Sequence, residues 1–306
     1  MKNILLGLSF LALGATTLHA GQTEMPFTIL VGEPSWLPES QSIAKALDHE
    51  NALRVMPIVG AGGLRAVEDL EQFAVVNAAL ITADSAAYTR AQNIGAGESA
   101  KLTYITSIKP LPVLLVARRN INNVTALAGK RIATGPAESA SFATGELLLG
   151  AMEVPFLRVP LAQEKAIEAL AQGKADAALV LGTPQNLERM NASNFHLLPL
   201  VMPQQLAGTY QQAKLSIKDA PGLISANQQV DTVSTALIMA VNDQGASPDQ
   251  RKSLKAFEDE LFKQLASAET TPLHDEVAGW TREANAAALL KALPLAATIT
   301  PTGATP

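Results

Sequence analysis

The chain contains no cysteine in 306 residues, and only 4% of its residues are aromatic. Without a thiol it can form no disulfide, no thiolate nucleophile and no lipidated cysteine. Its 23 lysines and arginines are outnumbered by 28 acidic residues, giving a formal net charge of −5, and they form no basic patch. The sequence therefore predicts no nucleic-acid partner. Hydrophobic residues make up 48% of the chain, and alanine is prominent, so we expect aliphatic, helix-rich cores.

The motifs of common enzyme classes are also missing. The chain has no Gly-x-Ser-x-Gly elbow and no His-Glu-x-x-His pair, and its few histidines do not fall at strand ends. The cluster His274-Asp275-Glu276 points adjacent side chains in different directions, which is more typical of a solvated loop than of a metal site. We therefore predict that the protein is not an enzyme and uses neither a metal nor a cofactor.

The N-terminus has the pattern of a secretory signal peptide over residues 1–20. Lys2 precedes a short apolar run, Ile4 to Leu13, and Leu18-His19-Ala20 forms an acceptable cleavage site before Gly21. The apolar run is too short for a membrane anchor, and no later segment is long enough to span a bilayer. We expect an exported, periplasmic protein that does not itself span the membrane, with an unstructured tail at 296–306.

Strands and helices alternate along most of the chain. The predicted elements of the first part are strand Phe27–Val31, helix Ser40–His49, strand Leu53–Val59, helix Leu64–Phe73 and strand Val75–Ile81. This alternation is typical of an α/β fold with helices on both faces of a parallel sheet. Two further helices are predicted near the C-terminus, at Pro248–Ser267 and Val277–Leu293.

Two apolar strands, Leu111–Ala117 and Ser234–Val241, bracket a complete α/β block. We interpret this nesting as one lobe inserted into another, with the two apolar strands as crossovers between them. Lobe I would comprise 21–110 and 230–295, and lobe II would comprise 111–229. Each lobe would be a mixed, mostly parallel sheet with flanking helices, and a cleft would separate the two.

The loop Gly135–Ser141 lies between a predicted strand and a predicted helix. Free backbone N–H groups and the positive end of the helix dipole meet at such a point, which favours a small anion such as a carboxylate. Ser139 and Ser141 can cap the helix and can also offer hydroxyls to a ligand. An ordinary capped turn without a ligand is the more frequent structure for such a loop, so the alternative stays open.

Three other loops follow predicted strands, at Gly60–Gly63, Asp84-Ser85 and Gly182–Pro184. Ligands of open α/β sheets bind outside the carboxyl ends of strands, so all four loops are expected to converge on one crevice. Gly60–Gly63 matches neither the dinucleotide nor the phosphate-loop pattern, which favours a tight turn. Arg65 would clamp a carboxylate if it faced the crevice, although a solvated arginine is more typical at this position.

Four segments have a familiar combination of features: a glycine turn with its helix, a strand ending in aspartate, a strand with a Gly-Pro-x-x-Ser loop, and a helix leading to Gly-x-Pro. They read VGAGGLRAVEDL, NAALITADSAAYTR, LAGKRIATGPAESASFATGELLLGAMEV and AIEALAQGKADAALVLGTP. As a set they resemble the TAXI-type solute receptors of TRAP transporters, within the type II periplasmic binding proteins. The resemblance implies the two-lobed fold of those proteins, closure on a small solute, and delivery to a TRAP-type membrane permease.

The chain departs from that family at two loops. Its first strand meets Gly32-Glu33-Pro34-Ser35-Trp36 where the family has a glycine-rich loop, and Ala140 follows Ser139 where the family has glycine. Glu33 and Glu138 would repel a carboxylate ligand. They favour a cationic, neutral or larger ligand, or a pocket no longer used for transport.

From these observations we predict a periplasmic receptor, monomeric, that captures a small organic solute such as a carboxylate or an amino acid by hinge closure. The predicted ligand-binding residues are Ser35, Trp36, Gly63, Asp84, Ser85, Glu138, Ser139, Ser141 and Thr183. The alternative is a periplasmic accessory or sensor protein that uses the same fold to bind a partner protein. The unusual first loop and the Thr/Pro-rich tail motivate that alternative.

Overall fold

A computed structural model describes residues 26–47, 53–92, 102–243, 246–267 and 276–293. The predicted signal peptide, the predicted tail, His49 and His274-Asp275 lie outside these ranges. Within the part of the chain that the structure describes, none of the helices combines the length and the apolar composition that a bilayer span requires.

The described residues form ten strands and seven helices of more than one turn. The strands are β1 (Phe27–Val31), β2 (Val55–Val59), β3 (Ala78–Thr82), β4 (Thr103–Arg118), β5 (Arg131–Ala133), β6 (Leu157–Val159), β7 (Ala177–Leu181), β8 (Phe195–Leu197), β9 (Gln211–Leu215) and β10 (Val230–Val241). The helices are α1 (Leu37–Leu47), α2 (Gly63–Gln72), α3 (Ala83–Ala91), α4 (Ala140–Ala151), α5 (Gln163–Ala171), α6 (Pro248–Ser267) and α7 (Ala284–Ala292).

The strands follow one another in the order β2-β1-β3-β10-β4-β7-β5-β6, with β8 on β4 and β9 on β10. Two parallel sets stand at the ends of this order: the first section, β2-β1-β3, and the second section, β7-β5-β6. β4 and β10 run antiparallel to each other and to their neighbours β7 and β3. The fold is therefore α/β with a mixed sheet and flanking helices, as the alternating sequence pattern predicts.

β4 and β10 connect the two sections because each strand changes partner along its length. β4 pairs with β10 over Thr103–Pro112 and with β7 over Val113–Ala117. β10 pairs with β9 at its start and with β3 near its end. This is the arrangement expected of crossover strands, although the boundaries of the two lobes stay a prediction.

In the first section, β1 and β3 are covered on both faces, whereas the edge strand β2 is largely exposed. β1 and β3 are buried along their whole length, which agrees with their continuous apolar runs. The Phe27 ring on β1 stacks on the Phe257 ring of α6, with centroids 4.1 Å apart and an angle of 6° between the planes. The long helix α6 thus packs on β1 of the first section.

One predicted helix is shorter than expected. Val277–Leu293 is helical only over Ala284–Ala292. The residues before it form a turn whose groups bond to β4 and α3 instead: the Tyr104 N–H donates to the Thr281 carbonyl (3.1 Å), and the Trp280 indole N–H donates to the Ala83 carbonyl (3.0 Å). These long-range bonds replace the bonds that a helix would have made within the segment.

Candidate functional site

The N-termini of α2 and α4 meet at the carboxylate of Glu33, which follows β1. Its Oε1 atom accepts the Ala140 N–H at 2.8 Å and the Gly63 N–H at 3.3 Å. Gly63 and Ala140 are the first residues of α2 and α4. First-turn N–H groups have no partner within their own helix, and the helix dipole places partial positive charge beside them. We call this arrangement of one carboxylate and two helix N-termini the junction.

Glycine allows the two helices to approach so closely. The Leu64 N–H donates to the Glu138 carbonyl at 2.8 Å, so the backbones of the two loops are in direct contact. A Cβ atom on Gly62 would lie 2.3 Å from that carbonyl oxygen, and one on Gly63 would lie 2.9 Å from the Ala140 Cβ. Gly62 also has φ +155°, which side-chain-bearing residues rarely adopt. Glycine at both positions 62 and 63 is therefore required for the loop before α2 to contact the loop before α4.

The serines of the Gly135–Ser141 loop are engaged within the loop. Ser139 is the N-cap of α4: its Oγ accepts the Phe142 N–H at 3.2 Å and donates to the Pro136 carbonyl at 2.7 Å. The Ser141 Oγ accepts the Gly135 N–H at 3.3 Å. Both serines are buried. Their hydroxyls hold the loop in the shape that aims the Ala140 N–H at the junction.

Asp84 forms a second set of bonds between the two halves of the molecule. It lies in the first turn of α3 and is 0% exposed. Its Oδ2 accepts the Tyr210 hydroxyl at 2.7 Å and the Thr144 hydroxyl at 2.6 Å, and its N–H donates to the Thr235 Oγ1 at 3.4 Å. Its other oxygen, Oδ1, is buried and has no hydrogen-bond partner among the described residues.

Burial shifts the pKa values of Glu33 and Tyr210. Desolvation raises the pKa of Glu33 above its ordinary value, the Ala140 and Gly63 N–H groups offset part of that rise, and Glu164 adds repulsion. Burial also raises the pKa of Tyr210 well above its ordinary value, and the charge of Asp84 adds to the shift. The Tyr210 phenol therefore stays protonated and acts as a donor to Asp84.

The structure brings some of the predicted site residues together and leaves others apart. Gly63, Ser139, Ser141 and the backbone of Glu138 lie at or beside the junction, and Asp84 reaches α4 through Thr144. The remaining four have other surroundings. Ser35 and Thr183 are exposed, Trp36 is buried in the core, and the Ser85 Oγ shares a hydrogen bond with Thr82 Oγ1 at 2.7 Å.

Arg65 does not face the junction. Its guanidinium pairs with Glu68 at 3.1 Å and with Asp69 at 2.8 Å, both on its own helix. This is the solvated arrangement that is typical of an arginine in a first helical turn.

A polar cleft borders the Asp84 network. Its polar lining is Ser107, Ser234 and Thr235 on β4 and β10, Thr209 just before β9, Gln211 at the start of β9, and Glu276 before α7, and alanine, proline and valine residues line the rest. The cleft and the network share Thr235, whose Oγ1 accepts the Asp84 N–H, and two further cleft residues, Thr209 and Gln211, flank Tyr210 in the chain. The cleft thus offers hydroxyl, amide and carboxylate groups from both halves of the molecule.

Sequence reasoning missed four contributors to this region. It treated Glu33 only as a source of repulsion, and it did not single out Thr144, Tyr210 or Thr235. Glu33 and Ala140 are 107 residues apart, and Asp84 and Tyr210 are 126 apart. No local pattern signals such pairs. The one local signal for Glu33 is an acid that follows a buried strand and a single glycine, Gly32.

No protein-family model matches the chain, and no curated protein matches it. Solved structures resemble it at low sequence identity. MatC from Rhodopseudomonas palustris with bound malate is 15% identical, with a TM-score of 0.50, and the match covers 88% of each chain. The GluR0 ligand-binding core from Nostoc punctiforme in complex with L-glutamate is 14% identical, with a TM-score of 0.48 and coverage of 79% of this chain and 94% of that one.

A TctC solute-binding protein from Polaromonas is 16% identical, with a TM-score of 0.46 and coverage of 88% of this chain and 96% of that one. Identities this low bear on the fold alone. The chain has an α/β fold with a mixed sheet that matches type II periplasmic binding protein structures, as the sequence predicts.

Proposed function

We propose that this protein is a solute-binding receptor that holds a small organic solute between two lobes and delivers it to a TRAP-type membrane permease. The observation that carries the proposal is the junction, where helix N-termini from opposite halves of the sheet converge on one carboxylate. Such a cradle is suited to the carboxylate of a solute because it supplies N–H donors and partial positive charge together.

β4 and β10 are the proposed hinge. Each belongs to both halves of the sheet, so bending these two strands would move lobe I relative to lobe II without breaking either parallel section. A solute shifts this equilibrium toward closure only by binding the closed form more tightly. Donors from both lobes at one point would supply that difference in affinity.

An amino acid fits the charges of this region. Its carboxylate would accept N–H groups of the junction. Its ammonium group would meet the carboxylate of Glu276 in the polar cleft or Asp84 Oδ1, which has no hydrogen-bond partner among the described residues. The hydroxyls of Ser107, Ser234 and Thr235 would orient the solute further. The predicted binding residues Gly63, Asp84, Ser139 and Ser141 belong to this proposed site.

Thermal unfolding of the purified chain against a panel of amino acids, dicarboxylates, polyamines and aromatic acids tests the proposal. A ligand that binds only the folded state raises the unfolding free energy by about 2.7 kcal/mol at a hundredfold excess over its dissociation constant. We expect a shift for one chemical class, with amino acids first. If no compound of the panel shifts the unfolding midpoint, the receptor function is contradicted. That result would favour the accessory or sensor role, in which the fold binds a partner protein.

Delivery is tested separately. Proteoliposomes that contain a TRAP-type permease should take up the solute only when this protein is present. Uptake that does not depend on the protein would contradict the delivery step while leaving solute binding intact.

A further inference from the structure

We propose that Glu33 is a built-in carboxylate ligand, which occupies the place of a solute carboxylate at the junction and must be displaced before a free carboxylate can bind there. The inference deepens the proposed function and rests on it only in identifying the junction as part of the solute site. That the cradle accepts a carboxylate follows from the Glu33 contacts themselves.

The contacts are those of a bound anion. One oxygen, Oε1, accepts the first N–H of a 10-residue helix and the first N–H of a 12-residue helix. The two helices belong to opposite halves of the sheet, so this single oxygen joins them. A free carboxylate placed at the same point would make the same two bonds.

The loop that carries Glu33 is held against the junction. Gly32 packs so closely that a Cβ atom there would lie 2.8 Å from the Leu80 carbonyl oxygen and 3.1 Å from the Gly63 Cα. The Gly32 N–H also donates to the Leu80 carbonyl at 3.0 Å. The backbone therefore fixes the start of the Glu33 side chain beside the N-terminus of α2, and the side chain needs only its own length to reach α4.

The tether explains how Glu33 remains bound although its burial is unfavourable. Desolvation raises its pKa, so the two N–H bonds do not fully offset the loss of hydration. A tethered group has an effective concentration on the order of millimolar or higher, which favours it over a free carboxylate of equal intrinsic affinity. A solute must therefore supply contacts that Glu33 lacks, and the polar cleft offers them.

Chemical rescue tests this inference. Glu33→Ala removes the carboxylate and leaves the two N–H groups of the junction without it, so acetate should stabilise this variant in thermal unfolding. Acetate at ten times its dissociation constant would raise the folding constant about 11-fold. Chloride at equal ionic strength and the neutral isostere acetamide should not reproduce the effect.

Three proteins serve as controls. The wild-type chain should not respond to acetate beyond the chloride effect, because Glu33 already fills the junction. Glu33→Gln should not respond either, since the amide fills the same space. Glu164→Ala removes an exposed acid that acts electrostatically on Glu33 but keeps Glu33 itself. Like the wild-type chain, it should not respond to acetate beyond the chloride effect.

Equal acetate responses in the wild-type chain and in Glu33→Ala would overturn the inference, as would a folded Glu33→Ala protein that ignores acetate. If Glu33→Ala does not fold in chloride, refolding it in concentrated acetate decides: recovery of folded protein supports the inference, and failure with acetate while Glu33→Gln folds overturns it. Success here with no response in the solute panel would refute only the proposed receptor function, and the reverse pattern would refute only this inference.

Discussion

At the scale of single residues, Gly62 allows the loop before α2 to lie directly against the loop before α4. Replacing it by alanine would place a methyl group 2.3 Å from the Glu138 carbonyl oxygen, at a φ of +155°. We expect Gly62→Ala to lower the free energy of unfolding by about 2–4 kcal/mol, because either the junction opens or the backbone is strained. Urea unfolding measures this loss.

Gly150→Ala is the matched control. Gly150 lies in α4, and a Cβ atom there would meet nothing within 4 Å. The same substitution should therefore be neutral or stabilising, by up to about 1 kcal/mol. Equal destabilisation at both glycines would contradict the account of the junction.

Tyr210 and Thr144 share one acceptor, which makes their contributions interdependent. Tyr210→Phe removes a donor from buried Asp84 and should cost about 1–3 kcal/mol of stability. Thr144→Val should cost a similar amount, and the double variant should differ from the sum of the two single variants. Additive losses in this double-mutant cycle would show that the two hydroxyls do not act on the same carboxylate oxygen.

The sequence singles out residues of the proposed site only where a local pattern signals them. Gly63, Ser139 and Asp84 stand at strand-to-helix turns, and the sequence marks such turns with glycine, capping serines and acids. The role of Glu33 was not predictable because its partner Ala140 is 107 residues away. Its carboxylate was expected to repel an anion, whereas it acts as the anion.

At the scale of secondary-structure elements, α6 and α7 carry two buried carboxyl groups. Glu258 and Glu283 are 1% and 8% exposed. The Asn285 side-chain amide donates to Glu258 at 2.7 Å, and Glu283 caps α7 by accepting the Ala286 N–H at 2.8 Å. Desolvation raises the pKa of Glu258 to about 8, and the neighbouring Glu283 adds to this rise. The hydrogen bond from Asn285 offsets part of it.

This shift predicts a pH dependence of stability. Between the ordinary pKa of 4.5 and the folded pKa of about 8, the folded protein keeps a proton that the unfolded chain releases. Stability therefore falls as the pH rises through this window, by at most about 1.4 kcal/mol per pH unit from this one group. Glu258→Gln mimics the protonated acid, so it should match the wild-type chain at about pH 5 and exceed its stability at about pH 9.

Urea unfolding across that pH range provides the measurement, with Glu168→Gln as the control. Glu168 is exposed on α5 and pairs with Lys165, so the same change there should leave the pH profile of the wild-type chain in place. If the stability of Glu258→Gln depends on pH in the same way as that of the wild-type chain, Glu258 is not the group that causes this pH dependence.

Among the elements themselves, the sequence predicts best those that have a clear period and clear ends. β1 and α6 match their predicted bounds, Phe27–Val31 and Pro248–Ser267, because a continuous apolar strand and a long amphipathic helix are strong local signals. The helix predicted from Val277 was wrong over its first residues. There, bonds to Tyr104 and Ala83 override local helix propensity.

At the scale of the whole molecule, the proposed function requires one motion, in which the two proposed lobes close by bending β4 and β10. The chain has no cysteine, so a pair of introduced cysteines carries the only thiol-reactive sites. Gln41→Cys on α1 and Gln172→Cys at the end of α5 place one label at an exposed position in each proposed lobe.

The distance between spin labels at these two positions, measured with and without a solute that stabilises the protein, shows whether the lobes close. We expect the solute to shift the distribution of distances to shorter values. Glu33→Ala should shift it to longer values, because the carboxylate that joins α2 to α4 is gone. A solute that stabilises the protein and leaves the distances unchanged would contradict closure, and would place its binding site outside the space between the lobes.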